Sequence, residues 1–116
     1  MVVKGKAMGE VALIKVRGNL IGGDETTEVH EKVKRVISEG VTKIVIDLHR
    51  VKWMNSHGVG MLMGCYSSVQ GVNGKIAICR VSEKAKEVLT LTKVITLFDS
   101  YESVRRAVKA LRSLKV

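Results

Sequence analysis

The sequence predicts an α/β fold: a mixed β-sheet, mostly parallel, with an N-terminal antiparallel hairpin and about four α-helices packed on it. Three observations carry this reading. Short apolar runs alternate along the chain with stretches whose apolar residues recur at helical spacing. Residues 41–48 form an apolar run ending in Asp47-Leu48, the pattern of a strand buried on both faces. Two strand-like runs in succession open the chain, and the strand–helix units after them imply parallel strands joined by crossover helices.

Residues 2–8 and 10–17 read as the hairpin, with Gly9 in its turn and Val11, Ala12, Leu13, Ile14 and Val16 making the second strand strongly apolar. Residues 18–23, Gly-Asn-Leu-Ile-Gly-Gly, form a loop, and Asp24 stands where a helix N-cap is expected. Val29, Val33, Val36 and Ile37 then mark one helical face, Glu25, Glu28 and Glu31 cover the other, and Gly40 ends the helix. After the strand at 41–48, residues 58–70 read as a helix. Val59, Leu62, Tyr66 and Val69 mark one face, and Met61, Met63 and Cys65 fill much of the rest, so this helix should lie deep in the domain. Gly71 and Gly74 bracket its exit.

Residues 75–81 form the next strand, and Ser82 caps a helix through Leu91 with Ala85, Val88 and Leu89 inward. Residues 94–98 suggest a short last strand. Asp99 then starts the final helix, with Glu102 placed for a capping box and Val104, Ala107, Val108 and Leu111 on the buried face.

The 116 residues fit one domain, 1–116, able to bury a core without disulfides. Proline is absent and aromatic residues make up 3%, so Val, Ile, Leu and Met must build that core. Cys65 and Cys79 lie outside any metal-ligand spacing and read as small buried hydrophobes in a reducing compartment. No charged leader precedes an apolar run, and no stretch approaches the roughly 20 apolar residues that span a bilayer. A soluble, cytoplasmic protein without membrane insertion is expected. The net charge of +9 suits an acidic partner, a nucleic acid or an anionic membrane surface. Five of the basic residues, Arg105, Arg106, Lys109, Arg112 and Lys115, sit near the C-terminal end, where they complement a helix dipole. With so few aromatics and no recognisable nucleic-acid motif, nucleic-acid binding is the less favoured reading.

Chemistry concentrates at the junction Trp53-Met54-Asn55-Ser56-His57-Gly58-Val59-Gly60, between a buried strand and a buried helix. Ser56 is placed as the N-cap or first turn of that helix, where free N–H groups and the dipole favour an anion such as phosphate. Gly58 and Gly60 allow close backbone approach. A plain capping serine followed by packing glycines is the simpler reading of the same residues. An enzyme is not expected. Ser56 and His57 are adjacent, but adjacency does not make a catalytic dyad, and the nucleophile-elbow pattern fails at Met54. No phosphate-loop, dinucleotide or zinc motif occurs, and His30, His49 and His57 have no ligand spacing, so neither cofactor nor metal is expected. His30 falls on the charged face of its helix, where it should be solvated.

With Val45-Ile46-Asp47-Leu48, the stretch from Val51 through Ser56 to Leu62, Gly74-Lys75-Ile76-Ala77-Ile78, Val88-Leu89-Thr90-Leu91-Thr92 and Phe98-Asp99-Ser100, the chain resembles the STAS domain family over nearly its whole length. That family joins domains of sulfate transporters and anti-sigma factor antagonists. Its signature loop reads approximately Asp-Ser-Ser/Thr/Ala-Gly-Leu-Gly, and the first serine, which accepts phosphate, matches Ser56. Asn55 stands where Asp is usual, and His57 where a small residue is usual.

The resemblance implies an anti-sigma factor antagonist that works by partner switching and performs no chemistry on other molecules. The unphosphorylated form binds an anti-sigma factor with serine kinase activity and frees the sigma factor. Phosphorylation of Ser56 ends that complex, and a serine phosphatase restores it. The implied partner surface is Asn19, Gly22, Gly23 and Asp24 in the loop before the first helix, with Asn55, Ser56, His57 and Gly58. A monomer or weak dimer is expected. The alternatives are a STAS scaffold or sensor component that binds other proteins without phosphorylation, and a basic nucleic-acid-binding domain.

Overall fold

Sheet order follows chain order. In the computed structural model, which describes residues 3–8 and 11–114, five strands pair in the sequence β1 to β5. β1 (Val3–Met8) and β2 (Val11–Arg17) are antiparallel, in register from Val3↔Val16 to Met8↔Val11. The turn expected at Gly9 lies outside the described residues. β3 (Lys43–Arg50), β4 (Lys75–Cys79) and β5 (Asp99–Tyr101) add in parallel, each beside the last. The helices are α1 (Gly23–Ser38), α2 (Ser56–Gln70), α3 (Glu83–Leu91) and α4 (Val104–Arg112).

This order decides where the helices go. Crossovers between neighbouring parallel strands keep one hand, so α1, α2 and α3 fall on the same face of the sheet. They pack over Ala12, Ile14, Val16, Ile44, Ile46, Leu48, Ile76 and Ile78. α4 follows the last strand and covers the other face, where Ala107, Val108 and Leu111 meet Val11, Leu13, Val45, Ala77 and Cys79. The two sets are alternate residues of the same strands, as the pleat requires. β3 is central, and its residues 43–48 are all buried. Cys65 and Cys79 are free and buried, and burial is the main cause pushing both thiols up to about 12. Among the described residues no helix is long and apolar enough to cross a membrane.

α1 ends as Gly40 predicts. Gly40 has φ 91, its N–H donates to the Ile37 carbonyl at 2.9 Å, and the N–H of Val41 reaches the Val36 carbonyl at 3.1 Å. These are the two bonds of a Schellman motif.

Several expectations need correction. Residues 94–98 are not a strand: Val94–Leu97 form a 3-10 turn, and β5 begins at Asp99. Lys93, at φ 62, turns the chain as α3 ends, and the Thr96 N–H then closes on the Lys93 carbonyl at 3.1 Å. The β-branched run is apolar because Val94 and Phe98 fill the core, not because it pairs. Asp99 and Glu102 form no capping box at the start of α4. Asp99 pairs with Ala77 in the sheet, and Ser103 caps α4 by accepting the Arg106 N–H at 3.1 Å. The N-cap of α1 is Gly22 rather than Asp24, which lies inside the first turn and still complements the dipole there. β4 stops at Cys79, since Arg80 adopts φ 54. His30 is not simply solvated. It is half-buried against Gly64 and hydrogen-bonds the Ser68 hydroxyl at 2.9 Å through Nε2. Its pKa is lowered, chiefly by desolvation and then by Lys34.

Leu62 points inward from α2 and is fully buried. Leu62→Ala should cost about 2–5 kcal/mol by combining lost transfer energy with a cavity. A denaturant titration would measure it, and a change below about 0.5 kcal/mol would be the value expected of a surface residue.

Candidate functional site

Because β2 and β3 are neighbours running the same way, the loops leaving their carboxyl ends emerge side by side. Hydrogen bonds lace these two loops together. The Leu20 N–H donates to the Trp53 carbonyl at 3.0 Å, the Asn55 N–H donates to the Leu20 carbonyl at 3.2 Å, and Leu20 and Met54 form an isolated parallel bridge. Side chains add to it: Asn19 Oδ1 accepts the Trp53 N–H at 3.0 Å, and Asn55 Nδ2 donates to the Ile21 carbonyl at 3.0 Å. Leu20 and Met54 are buried beneath this seam.

Asn55, not Ser56, is the N-cap of α2. Its Oδ1 accepts the N–H groups of His57 at 2.9 Å and Gly58 at 3.4 Å. One amide thus caps the helix with its oxygen and ties the neighbouring loop with its nitrogen. An aspartate could do the first but lacks the N–H donors for the second. Ser56 is the first residue of the helix, exposed, and its hydroxyl makes no hydrogen bond among the described residues. Gly58 is buried where α2 crosses Leu20: a Cβ there would run into the Leu20 carbonyl and stand 2.7 Å from the Met54 side chain.

The seam gathers Asn19, Asn55, Ser56, His57 and Gly58, and Gly22 joins them through the His57 ring. Gly22 has φ 114, and a Cβ on it would stand 3.3 Å from His57 Cγ. The ring therefore leans across to the start of α1, and with Gly22, Gly23, Thr26, Thr27, His30 and Met61 it lines an open cleft of about 250 Å³. Thr26 Oγ1 accepts the Gly22 N–H at 2.8 Å, which holds the rim. Asp24 is exposed in the first turn of α1 and does not line this cleft. Among the described residues no group of three or more His, Cys, Asp or Glu side chains could hold a metal ion.

Two exposed residues of these loops lie outside the partner surface that the sequence implies. Trp53 and Ile21 are 53% and 54% exposed, flanking the seam from its two loops, and Lys84 lies 4.4 Å above the Trp53 ring. The available signal was their position: large apolar residues within the two loops that supply the rest of that surface.

Gly58→Ala should destabilise the fold by about 1–3 kcal/mol, since the Leu20 backbone cannot retreat without breaking the seam. Gly60→Ala, with nothing within 4 Å of the added methyl, should instead stabilise it by about 0.5–1 kcal/mol. Thermal or denaturant unfolding of the pair checks both signs.

Comparison with known proteins adds relatives to this geometry. An anti-sigma F factor antagonist of Paenibacillus polymyxa is 25% identical over 108 residues, covering 86% of this chain and 90% of its own. The crystal structure of an anti-sigma factor antagonist from Mycobacterium paratuberculosis superposes with a TM-score of 0.81 at 19% identity, covering 97% of this chain and 94% of that one. The Bacillus cell fate determinant SpoIIAA has been solved in two forms. The unphosphorylated form matches with a TM-score of 0.73 at 21% identity, over 97% of this chain and all of that one. The phosphorylated form matches with a TM-score of 0.74 at 19% identity, over 96% of this chain and all of that one. The STAS domain model matches residues 6–107, and the chain belongs to the STAS domain family.

Proposed function

We propose that this protein is an anti-sigma factor antagonist regulated by phosphorylation of Ser56, and that it acts by binding rather than by catalysis. The observation that carries the reading is the state of Ser56. It is exposed, without a hydrogen bond among the described residues, beside the seam where two loops are laced together. Relatives named as anti-sigma factor antagonists support the general role.

The physical consequence of phosphorylation follows from the position. Phosphate adds about −1.5 to −2 charge. At the first residue of a helix that charge interacts favourably with the dipole, so the fold itself should not suffer. The amide of Asn55 already occupies the N–H groups of His57 and Gly58. A phosphate on Ser56 therefore has fewer donors to fold back on and is presented outward. A partner covering Ser56, Trp53 and Ile21 would have to desolvate it, which costs binding. The partner in this reading is an anti-sigma factor with serine kinase activity, and a serine phosphatase reverses the modification. Asn19, Gly22, Gly23, Asn55, His57 and Gly58 shape the contact surface, and Asp24 borders it. The His57 ring leans away over Gly22, which leaves the Ser56 hydroxyl open to a kinase.

The test is incubation with the anti-sigma factor kinase and ATP, followed by mass spectrometry and a binding measurement. Wild type should be modified at Ser56 and lose the partner. Ser56→Ala should bind and resist modification, and Ser56→Asp should bind about tenfold or more weakly. Melting temperature should stay level or rise slightly on phosphorylation. Phosphate on another residue, or none from a kinase shown to be active, would leave a STAS interaction domain that works without this switch.

A further inference from the structure

The other feature at the carboxyl end of the sheet lies on the α4 side and is not explained by Ser56. An open cleft of about 250 Å³ is lined there by Lys15, Arg17, Asp47, His49, Arg50 and Arg80. It holds an ion pair in which the acid is buried and the Arg80 side chain is 35% exposed. Asp47, 2% exposed, accepts Arg80 Nη2 at 2.6 Å and Nε at 3.1 Å, one on each oxygen, and the His49 N–H at 3.1 Å. This two-pronged arrangement fixes the guanidinium plane. Arg80 also takes a left-handed backbone, φ 54, uncommon outside glycine, and its N–H is held by the Tyr101 carbonyl at 3.0 Å.

The rim is unusual for a different reason. The β2–β3 register shifts between Lys15 and Arg17, so that Lys15 stands beside Asp47 and Arg17 beside Arg50. Bulges re-aim side chains and recur beside functional sites. Here the shift gathers Lys15, Arg17 and Arg50 around one opening, and among the described residues none of the three has a carboxylate partner. The only carboxylate lining the cleft is matched by Arg80. The opening sits beyond the carboxyl ends of β2, β3 and β4.

We propose that this cleft binds a small phosphate-bearing molecule, with Lys15, Arg17 and Arg50 as its anion ligands and the Asp47-anchored Arg80 as a fixed guanidinium at the base. Three unmatched cations suit a group of more than one negative charge, and a diphosphate supplies it. Two arginines add the planar fork that fits phosphoryl oxygens. The site stands independently of the Ser56 reading. Asp47 alternates with Val45 on the α4 face, whereas α2 packs on the opposite face.

Calorimetric titration of the full chain with inorganic pyrophosphate tests the proposal. Saturable binding at a single site is expected. Arg17→Gln and Arg50→Gln should each weaken it about tenfold or more. Lys86→Gln, which removes the same charge from α3, should change it by less than about twofold, and circular dichroism should show all variants folded. No saturable binding would overturn the proposal. So would an equal loss in Lys86→Gln and Arg50→Gln, which would reduce the effect to net charge. A parallel arm uses phosphatidylcholine vesicles containing phosphatidic acid. Arg50-dependent sedimentation with these vesicles, without binding of free pyrophosphate, would assign the patch to a membrane surface and overturn the small-molecule site.

Discussion

The exposed serine owes its position to one contact: the first turn of α2 lying against the backbone of Leu20. Only a residue without a Cβ fits at position 58, because the Leu20 carbonyl occupies the space a methyl would take. That same carbonyl accepts the Asn55 N–H, and Leu20 donates back to Trp53. The approach and the hydrogen bonds are therefore one constraint seen from two sides. If α2 moved away, Asn55 would lose its backbone partner as well as its reach to Ile21. Sheet order is what makes the constraint possible, since β2 and β3 must be neighbours for their exit loops to meet.

Such a shelf suits recognition better than catalysis. It is laced by hydrogen bonds, it presents a hydroxyl that makes no hydrogen bond among the described residues, and its two loops expose the large apolar side chains of Trp53 and Ile21. In the proposed switch, such a surface would bind by excluding water, and a phosphate on Ser56 would act against that exclusion. Asn55 contributes in a way its charge state explains. A neutral amide both caps and donates, so it stiffens the seam without placing a second negative charge beside the serine.

Much of this was legible in the chain, and the failures share a cause. The central strand, the helix beginning near Ser56 and the stop at Gly40 follow from local pattern, and the structure keeps them, with the strand shifted from 41–48 to Lys43–Arg50 and its buried part at 43–48. The run Val94 to Phe98 reads as a strand because β-branched, apolar residues signal burial, and burial alone does not distinguish a paired strand from a 3-10 turn laid over the core. Asp99 and Glu102 matched a capping pattern, but Ser103 offers an equally good cap and β4 requires Asp99 as a strand partner. His30 was placed by its charged neighbours on α1. Its surroundings come from Gly64 and Ser68 on α2, which no window along the sequence brings together. At the site, the seam between Asn19–Ile21 and Trp53–Asn55 was equally hidden. The residue types were visible, while their pairing depends on which strands are neighbours.

The connection leaving β3 serves both faces of the sheet in turn. Asp47, His49 and Arg50 belong to the cleft on the α4 side, and five residues beyond Arg50 the chain is capping α2 on the opposite side. Between them run Val51, fully buried, and Trp53, bonded to the adjoining loop. Ser82 bonds the Val51 carbonyl at 2.9 Å, so the start of α3 holds the same connection. An anion drawing on Arg50 and a partner resting on Trp53 would therefore act on the ends of one short, tightly held segment. Linkage makes any such effect reciprocal: if an occupied cleft alters affinity at the serine face, a bound partner must alter affinity in the cleft by the same factor. A stiff connection has little conformational freedom to exchange between the two sites, so coupling would have to arise from a discrete shift of the segment or from direct electrostatics across the sheet. The direct term is limited, because the Asp47 carboxylate lies buried in the central strand, already matched by Arg80.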